Sequence, residues 1–369
     1  MDAERLQRLV LRFPACRIAV LGDFFLDKYL DVDPALAEVS LETGRAAHQV
    51  VSVRCSPGAA GTVVNNLAAL GAGALHALGF TGDDGEGLEL RRALEGLGCD
   101  VGGLVRVPGR FTPTYLKPRD SRTPGLAGEH DRYDTKNRQP TPPDVQERVL
   151  EHLARLLPDL DAVIVLDQVE EADCGIVTGR ARTELARLAG AHPRVVFWAD
   201  SRRRIGLFRN TIVKVNEWEA LRIVRDQGSG IGDRGRTSNG ERRTENGERG
   251  TDDEAVRRAM MELRRRTGRP VFVTAGARGI WVSDPEPALV PAVRVEGPID
   301  PTGAGDSATA AAVLALCAGA TLQEAALVAN LVASITIQQL ATTGTATPSQ
   351  LGPRLEEWGG TADSGHGRP

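Results

Sequence analysis

Short apolar runs, each closed by charged or turn residues, recur along the chain at residues 17–23 (RIAVLGD), 162–166 (AVIVL), 195–198 (VVFW), 211–215 (TIVKV) and 270–274 (PVFVT). Runs this brief and this uniformly apolar predict strands buried on both faces. Between them, apolar residues return at helical spacing over 60–70, 87–97, 143–157 and 252–266. Strands alternating with helices of this length predict an α/β fold in which helices cover both faces of a mostly parallel sheet.

Two stretches break that rhythm. Residues 28–54 alternate apolar and polar positions with few helix signals, and 111–119 form a second strand-like piece. Together they predict a small antiparallel β flap, 28–55 and 111–120, beside the main sheet. Residues 226–250 are glycine and charge with Ile231 as the one large aliphatic side chain. Such a tract cannot bury enough apolar surface to offset its ordering entropy, so it reads as a disordered surface insertion. The polar residues 356–369 read as a flexible tail, leaving 1–355 as one domain.

Composition narrows the function classes. With 45 basic and 49 acidic residues in 369 the net charge is −4, and the apolar share of 41% is that of an ordinary globular protein. Lysine occurs only at Lys28, Lys117, Lys136 and Lys214, so any anion recognition leans on arginine, backbone amides and helix ends. Balanced charge without a basic run or basic aromatic cluster excludes a nucleic-acid partner. The five cysteines are isolated, with no CxxC pair, which argues against a disulfide framework or a zinc site. The opening MDAERLQRLVLRFP lacks a signal-peptide core, and the longest apolar stretch, 308–320, is too short for a bilayer. A cytoplasmic protein without membrane contact is expected.

The strongest chemical signal is residues 299–307, IDPTGAGDS, leading into an apolar helical run. Gly303 and Gly305 frame Ala304 just before a helix, so several unpaired backbone amides can face an anion, and a phosphate suits them. Asp306 then falls in the first helical turn. A carboxylate beside an anion site suits proton handling, and it equally suits capping the helix dipole.

The stretch Asp300, Thr302, Gly303, Ala304, Gly305, Asp306 resembles the DxTGAGD signature of the ribokinase-like (PfkB) carbohydrate kinases. That resemblance implies Asp306 as catalytic base and the Gly303, Ala304 and Gly305 amides as an anion hole. Further family-like motifs follow the same order along the chain. GDFFLD at 22–27 implies Asp27 as a sugar-hydroxyl ligand, and PGAAGTVVNNLAALG at 57–71 implies Gly58, Ala59 and Thr62 beside the substrate. Here Ala59 replaces a second glycine, and Thr62 stands where a sugar-contacting Asn is usual. GFTGDDG at 79–85 is similar to a structural turn of the family.

NEWE at 216–219 resembles the NxxE motif, which implies Asn216 and Glu219 as organisers of Mg²⁺, largely through water, and of phosphate. Taken alone, those residues read as a helix N-cap followed by acids. VTAGARG at 273–279 implies Thr274, Gly276 and Gly279 at the nucleotide, with Asn330 and GTATP at 344–348 on the adenine side. The implied architecture is a three-layer α/β/α ribokinase-like fold whose antiparallel flap serves as a lid. The implied activity is phosphoryl transfer from ATP to a sugar or sugar phosphate with Mg²⁺, room for a monovalent cation, and a homodimer through the flap.

Within that family GDFFLDKYL, PGAA, TYLKPR (114–119) and RYD (132–134) resemble the heptose-phosphate kinase branch most. Lys117 is then either a substrate-phosphate contact or a solvated strand charge. Bifunctional heptose enzymes carry a second, nucleotidyltransferase domain, for which this length leaves no room. A dehydrogenase would need GxGxxG after the first strand and a P-loop enzyme a Gly-Lys pair, and neither is present. The alternative is a non-catalytic sugar- or nucleotide-sensing protein on the same fold, against which Asp306 stands.

Overall fold

The computed structural model describes residues 1–123, 125–228, 252–340 and 342–363. In chain order the strands are β1 (Arg17–Gly22), β2 (Phe24–Val32), β3 (Glu38–Val39), β4 (Ala46–Ala47), β5 (Val50–Ala59), β6 (Ala74–Gly82), β7 (Cys99–Val107), β8 (Thr114–Asp120), β9 (Tyr133–Thr135), β10 (Ala162–Asp167), β11 (Val196–Ser201), β12 (Ile212–Asn216), β13 (Val271–Thr274), β14 (Gly279–Val282) and β15 (Ala288–Pro291). The helices are α1 (Ala3–Val10), α2 (Ala60–Ala69), α3 (Gly85–Gly96), α4 (Pro143–Leu156), α5 (Gly179–Ala191), α6 (Glu217–Gly228), α7 (Asp253–Thr267), α8 (Ala304–Cys317), α9 (Leu322–Thr336) and α10 (Pro348–Asp363).

Nine strands form the central sheet in the order β15-β14-β13-β12-β11-β10-β1-β6-β7. All pairings from β13 to β7 are parallel, and β14 and β15 close one edge antiparallel. Alternation along each strand feeds two cores. On β1, Ile18 and Val20 enter the layer built with α2, α8 and α9, whereas Ala19 and Leu21 enter the layer built with α4, α5 and α7. Burial on both faces is why these strands carry no polar alternation in the sequence.

The lid is a second sheet, β5-β2-β8-β9, with β3 and β4 pairing as a separate ribbon. Its outer pairings, β2 with β5 and β8 with β9, are antiparallel, while β2 and β8 run parallel. The lid begins at Phe24, four residues before the flap expected from the sequence, because β2 follows β1 with only Asp23 between them. Asp23 is the pivot. Its carboxylate accepts from the amides of Gln168, Val169 and Ile176 at 2.9–3.0 Å, so it knots the loop after β10 under the start of the lid.

Two boundaries differ from the sequence expectation. Helix α6 continues to Gly228, so the first three residues of the expected insertion are helical, and 229–250 lie outside the described residues. Residues 356–363 complete α10 instead of starting a tail, because Leu351 and Leu355 bury into the core and the Trp358 indole donates to the Pro291 carbonyl at 2.9 Å. Residues 364–369 lie outside the described part. Among the described residues no helix is long and apolar enough to cross a membrane.

Candidate active site

The GAGD segment folds as its glycines require. Gly303 caps α8 with φ +79°, the left-handed region open to glycine, and the Thr302 backbone amide donates a hydrogen bond to the buried Asp300 carboxylate at 3.0 Å. The amides expected to form an anion hole are not equivalent. Ala304 donates to the Pro301 carbonyl at 3.1 Å, whereas those of Gly303 and Gly305 have no carbonyl partner among the described residues. Two amides, not three, therefore face outward.

Asp306 follows in the first turn of α8, half-buried. Burial pushes its carboxyl up to about 7, with Asp200 and Asp27 adding to the rise and Lys214 and Arg202 opposing it. A carboxyl raised in this way is a candidate proton acceptor.

Lys214 and Asp200 were not singled out in the sequence. Lys214 lies buried on β12, 2.6 Å from the Asp200 carboxylate at the end of β11, and donates to the Gly305 carbonyl at 3.2 Å. The ammonium thus joins two strands to the first turn of α8. The signal was present, since Lys214 is a single charge inside TIVKV, an otherwise apolar run read as a buried strand.

Asn216 and Glu219 form a reciprocal cap at the start of α6. The Glu219 amide donates to Asn216 Oδ1 at 2.9 Å and the Asn216 amide to Glu219 Oε2 at 2.8 Å. Burial raises the Glu219 carboxyl, Asp200 adds to the rise, and the Asn216 amide and Lys214 oppose it. Its Oε1 has no hydrogen-bond partner among the described residues. No group of three His, Cys, Asp or Glu among the described residues could hold a metal directly. A Mg²⁺ carried mainly by nucleotide phosphates and water needs only such a single oxygen, so the site fits that ion and no other metal cage.

The lid strand β2 carries Asp27. Its carboxylate is buried, with Lys117 Nζ 3.0 Å from Oδ1. Lys117 also donates to the Tyr29 hydroxyl at 3.2 Å and stands 4.8 Å over the Tyr29 ring, so it is neither a solvated charge nor an open phosphate ligand. Gly58 lies against the other oxygen: a Cβ there would be 2.8 Å from Asp27 Oδ2. Ala59 adopts φ +52°, ψ −117°, a backbone suited to the glycine it replaces. Thr62, buried in the first turn of α2, packs toward Gly303 and bonds the Pro57 carbonyl at 3.4 Å.

Two of the expected nucleotide residues, Gly279 and Asn330, are engaged in the fold itself. A Cβ on Gly279 would meet the Val290 carbonyl at 2.1 Å, so that glycine is required by β15. Asn330 spends its amide on the carbonyls of Val290 and Pro291 at 2.9 and 3.1 Å, tying α9 to β15. Gly276 keeps an open approach at φ +57°, and Thr274 pairs in register with Asn216 at the strand ends.

The sequence profile described as "pfkB family carbohydrate kinase" matches residues 207–349, the segment holding Lys214, the Asn216–Glu219 cap and Asp306. Over that segment the chain is similar to the PfkB family of carbohydrate kinases. Its curated relatives include the bifunctional protein HldE of Desulfatibacillum aliphaticivorans, 28% identical over 358 residues, covering 95% of this chain and 65% of the relative. HldE of Gluconobacter oxydans is 28% identical over 339 residues, covering 90% and 63%. This chain thus spans less than two thirds of the length of these relatives. Among solved structures, Arabidopsis thaliana ribokinase complexed with ribose and ATP superimposes with TM-score 0.62 at 16% identity, covering 92% of this chain and 99% of that one. Cryptococcus neoformans var. grubii ribokinase in complex with ADP gives 0.59 at 20%, with coverage of 92% and 99%. These likenesses establish the ribokinase-like fold.

A recess opens beside Gly22, Asp23, Phe24 and Phe25 of the GDFFLD stretch. It is lined by Phe25, Tyr115, Lys136, Gln168, Glu170 and Arg202 among others, at the junction of the lid and the loops after β9, β10 and β11. Lys136 and Arg202 are the cations of that wall, alongside Glu171 and Glu170, the latter paired with Arg203 at 2.6 Å.

Proposed function

We propose that this kinase transfers the γ-phosphate of ATP to a hydroxyl of a sugar phosphate of the heptose-phosphate type, with Asp306 as general base. The observation that carries the reading is Asp306 itself, a carboxyl raised to about 7 at the N-terminus of α8, next to two free amides and within the field of Asp27. A sensing module has no use for a proton acceptor at that place.

The chemistry follows from charge. Asp27 orients the acceptor, Asp306 takes the proton of the attacking hydroxyl, and the Gly303 and Gly305 amides with Lys214 meet the charge on the transferred phosphoryl. Asn216 and Glu219 would hold hydrated Mg²⁺, which when bound neutralises phosphate oxygens. The turn at Thr274 and Gly276 would receive the nucleotide. Lys136 and Arg202 would take the phosphate already on the acceptor, a reading supported by the resemblance to HldE proteins and by the sequestration of Lys117.

The lid's edge strand β5 exposes Val50, Val51 and Val53. Covering that apolar edge with a second copy would form the homodimer expected from the resemblance.

The test is ADP formation by the purified chain with Mg-ATP over a panel of heptose 7-phosphates, other sugar phosphates and free sugars, beside Asp306→Asn. Turnover of one heptose 7-phosphate that collapses in the variant is expected. ADP formation unchanged in Asp306→Asn, or nucleotide binding without turnover of any acceptor, contradicts the proposal.

A further inference from the structure

The register of the lid places four polar side chains on one face. In the parallel pairing of β2 with β8, Asp27 stands opposite Tyr115 and Tyr29 opposite Lys117. Alternate strand residues share a face, so Asp27, Tyr29, Tyr115 and Lys117 form one patch toward the acceptor recess. Within it Lys117 is fully engaged, 3.0 Å from Asp27 Oδ1, 3.2 Å from the Tyr29 hydroxyl, and over the Tyr29 ring. The side chains of the ion pair are only 12% and 9% exposed.

A buried ion pair is a weak source of net stability, because desolvation offsets most of the attraction. What it supplies is geometry. Lys117 stands 3.0 Å from one carboxylate oxygen of Asp27 as its ion-pair partner, and a Cβ on Gly58 would come within 2.8 Å of the other, so the carboxylate is confined from both sides. Burial works against the Lys117 ammonium, yet Asp27 and Tyr29 more than compensate and raise it above its ordinary value, so it stays charged throughout the working range. Two other cations, Lys136 and Arg202, line the recess itself.

We propose that Lys117 is a positioning residue that acts through Asp27, fixing from β8 the carboxylate that receives the acceptor hydroxyl, and that it does not touch the acceptor's phosphate. This rests on the reading of Asp27 as the acceptor ligand. A ligand carboxylate preset in this way need not be ordered when the acceptor binds, so the contribution belongs in acceptor KM.

The test is a double-mutant cycle in initial-rate kinetics with Mg-ATP and the heptose 7-phosphate that wild type turns over, using Asp27→Asn, Lys117→Met and the double variant, with Lys117→Arg as the conservative control. Lys117→Met is expected to raise acceptor KM at least tenfold with ATP KM within twofold. Lys117→Arg should recover most of the loss, and the double variant should be no worse than Asp27→Asn. If Lys117→Met alone does not fold, the double variant, which buries no unpaired charge, is compared with Asp27→Asn directly. Losses that multiply in the double variant would overturn the proposal and make Lys117 an independent ligand. An unimpaired Asp27→Asn would remove the reading of Asp27, and the proposal with it. An impaired Asp27→Asn with multiplying losses removes the proposal alone.

Discussion

Gly58 and Asp27 meet so closely across β5 and β2 that a single added methyl on Gly58 would stand 2.8 Å from Asp27 Oδ2. No side chain fits that gap without turning the carboxylate. Gly58→Ala is therefore expected to raise acceptor KM about tenfold or more while ATP KM holds, as expected where a misplaced group costs about 10² in rate. Steady-state kinetics in both substrates check this, and a rise in ATP KM alone would contradict it.

The proton-accepting role of Asp306 sets a pH profile. Its carboxyl is raised from 3.8 to about 7, so the base is lost to protonation as pH falls. Acceptor kcat/KM is expected to drop about tenfold per pH unit below that value and to level off above it. Above that value Asp306→Asn should lower turnover by about 10² to 10⁴, and the gap should narrow as pH falls below it. Because folding disfavours the ionised form, wild type loses stability relative to Asp306→Asn as pH rises from about 4 to about 7, and keeps that deficit above. Thermal melts of the two proteins at pH 5 and pH 8 read the difference.

The pair Lys214 and Asp200 joins β12 to β11 beneath the first turn of α8. Lys214→Met leaves a buried carboxylate unpaired and is expected to cost about 3–5 kcal/mol. Adding Asp200→Asn should return most of that stability. Neither variant should regain full turnover, since the charge facing the transferred phosphoryl is gone. Urea unfolding with parallel rate assays separates the two effects.

Ala59 holds a backbone that glycine prefers, φ +52° with ψ −117°. Strain of this kind costs about 1 kcal/mol or more, so Ala59→Gly is expected to raise the melting temperature by about 2 °C. An unchanged or lower Tm would show the strain to be absorbed elsewhere.

Much of this was readable before any coordinates. Uniform apolar runs gave β1, β10, β11, β12 and β13 because strands covered on both faces carry no other pattern. Strands β6 and β7 escaped notice because Gly79, Gly82, Gly102 and Gly103 dilute them, and close approach demands several of these: a Cβ on Gly103 would lie 2.2 Å from Leu78 Cδ2. Motif order singles out Asp306, Asp27 and Gly58 as candidates and says nothing of their surroundings. That Lys117 is spent on Asp27, that Asn330 and Gly279 serve β15, and that Lys214 reaches Gly305 are relations between distant segments, fixed only by strand order and register.

Phosphoryl transfer to an acceptor hydroxyl, with Asp306 as base, underlies each of these kinetic outcomes. Its most direct test is ³¹P NMR of the purified chain with Mg-ATP and a heptose 7-phosphate. A new sugar-phosphate ester signal growing in step with ADP, and absent with Asp306→Asn, is the predicted result. ADP appearing only with inorganic phosphate, or an ester signal that persists in Asp306→Asn, would contradict the account.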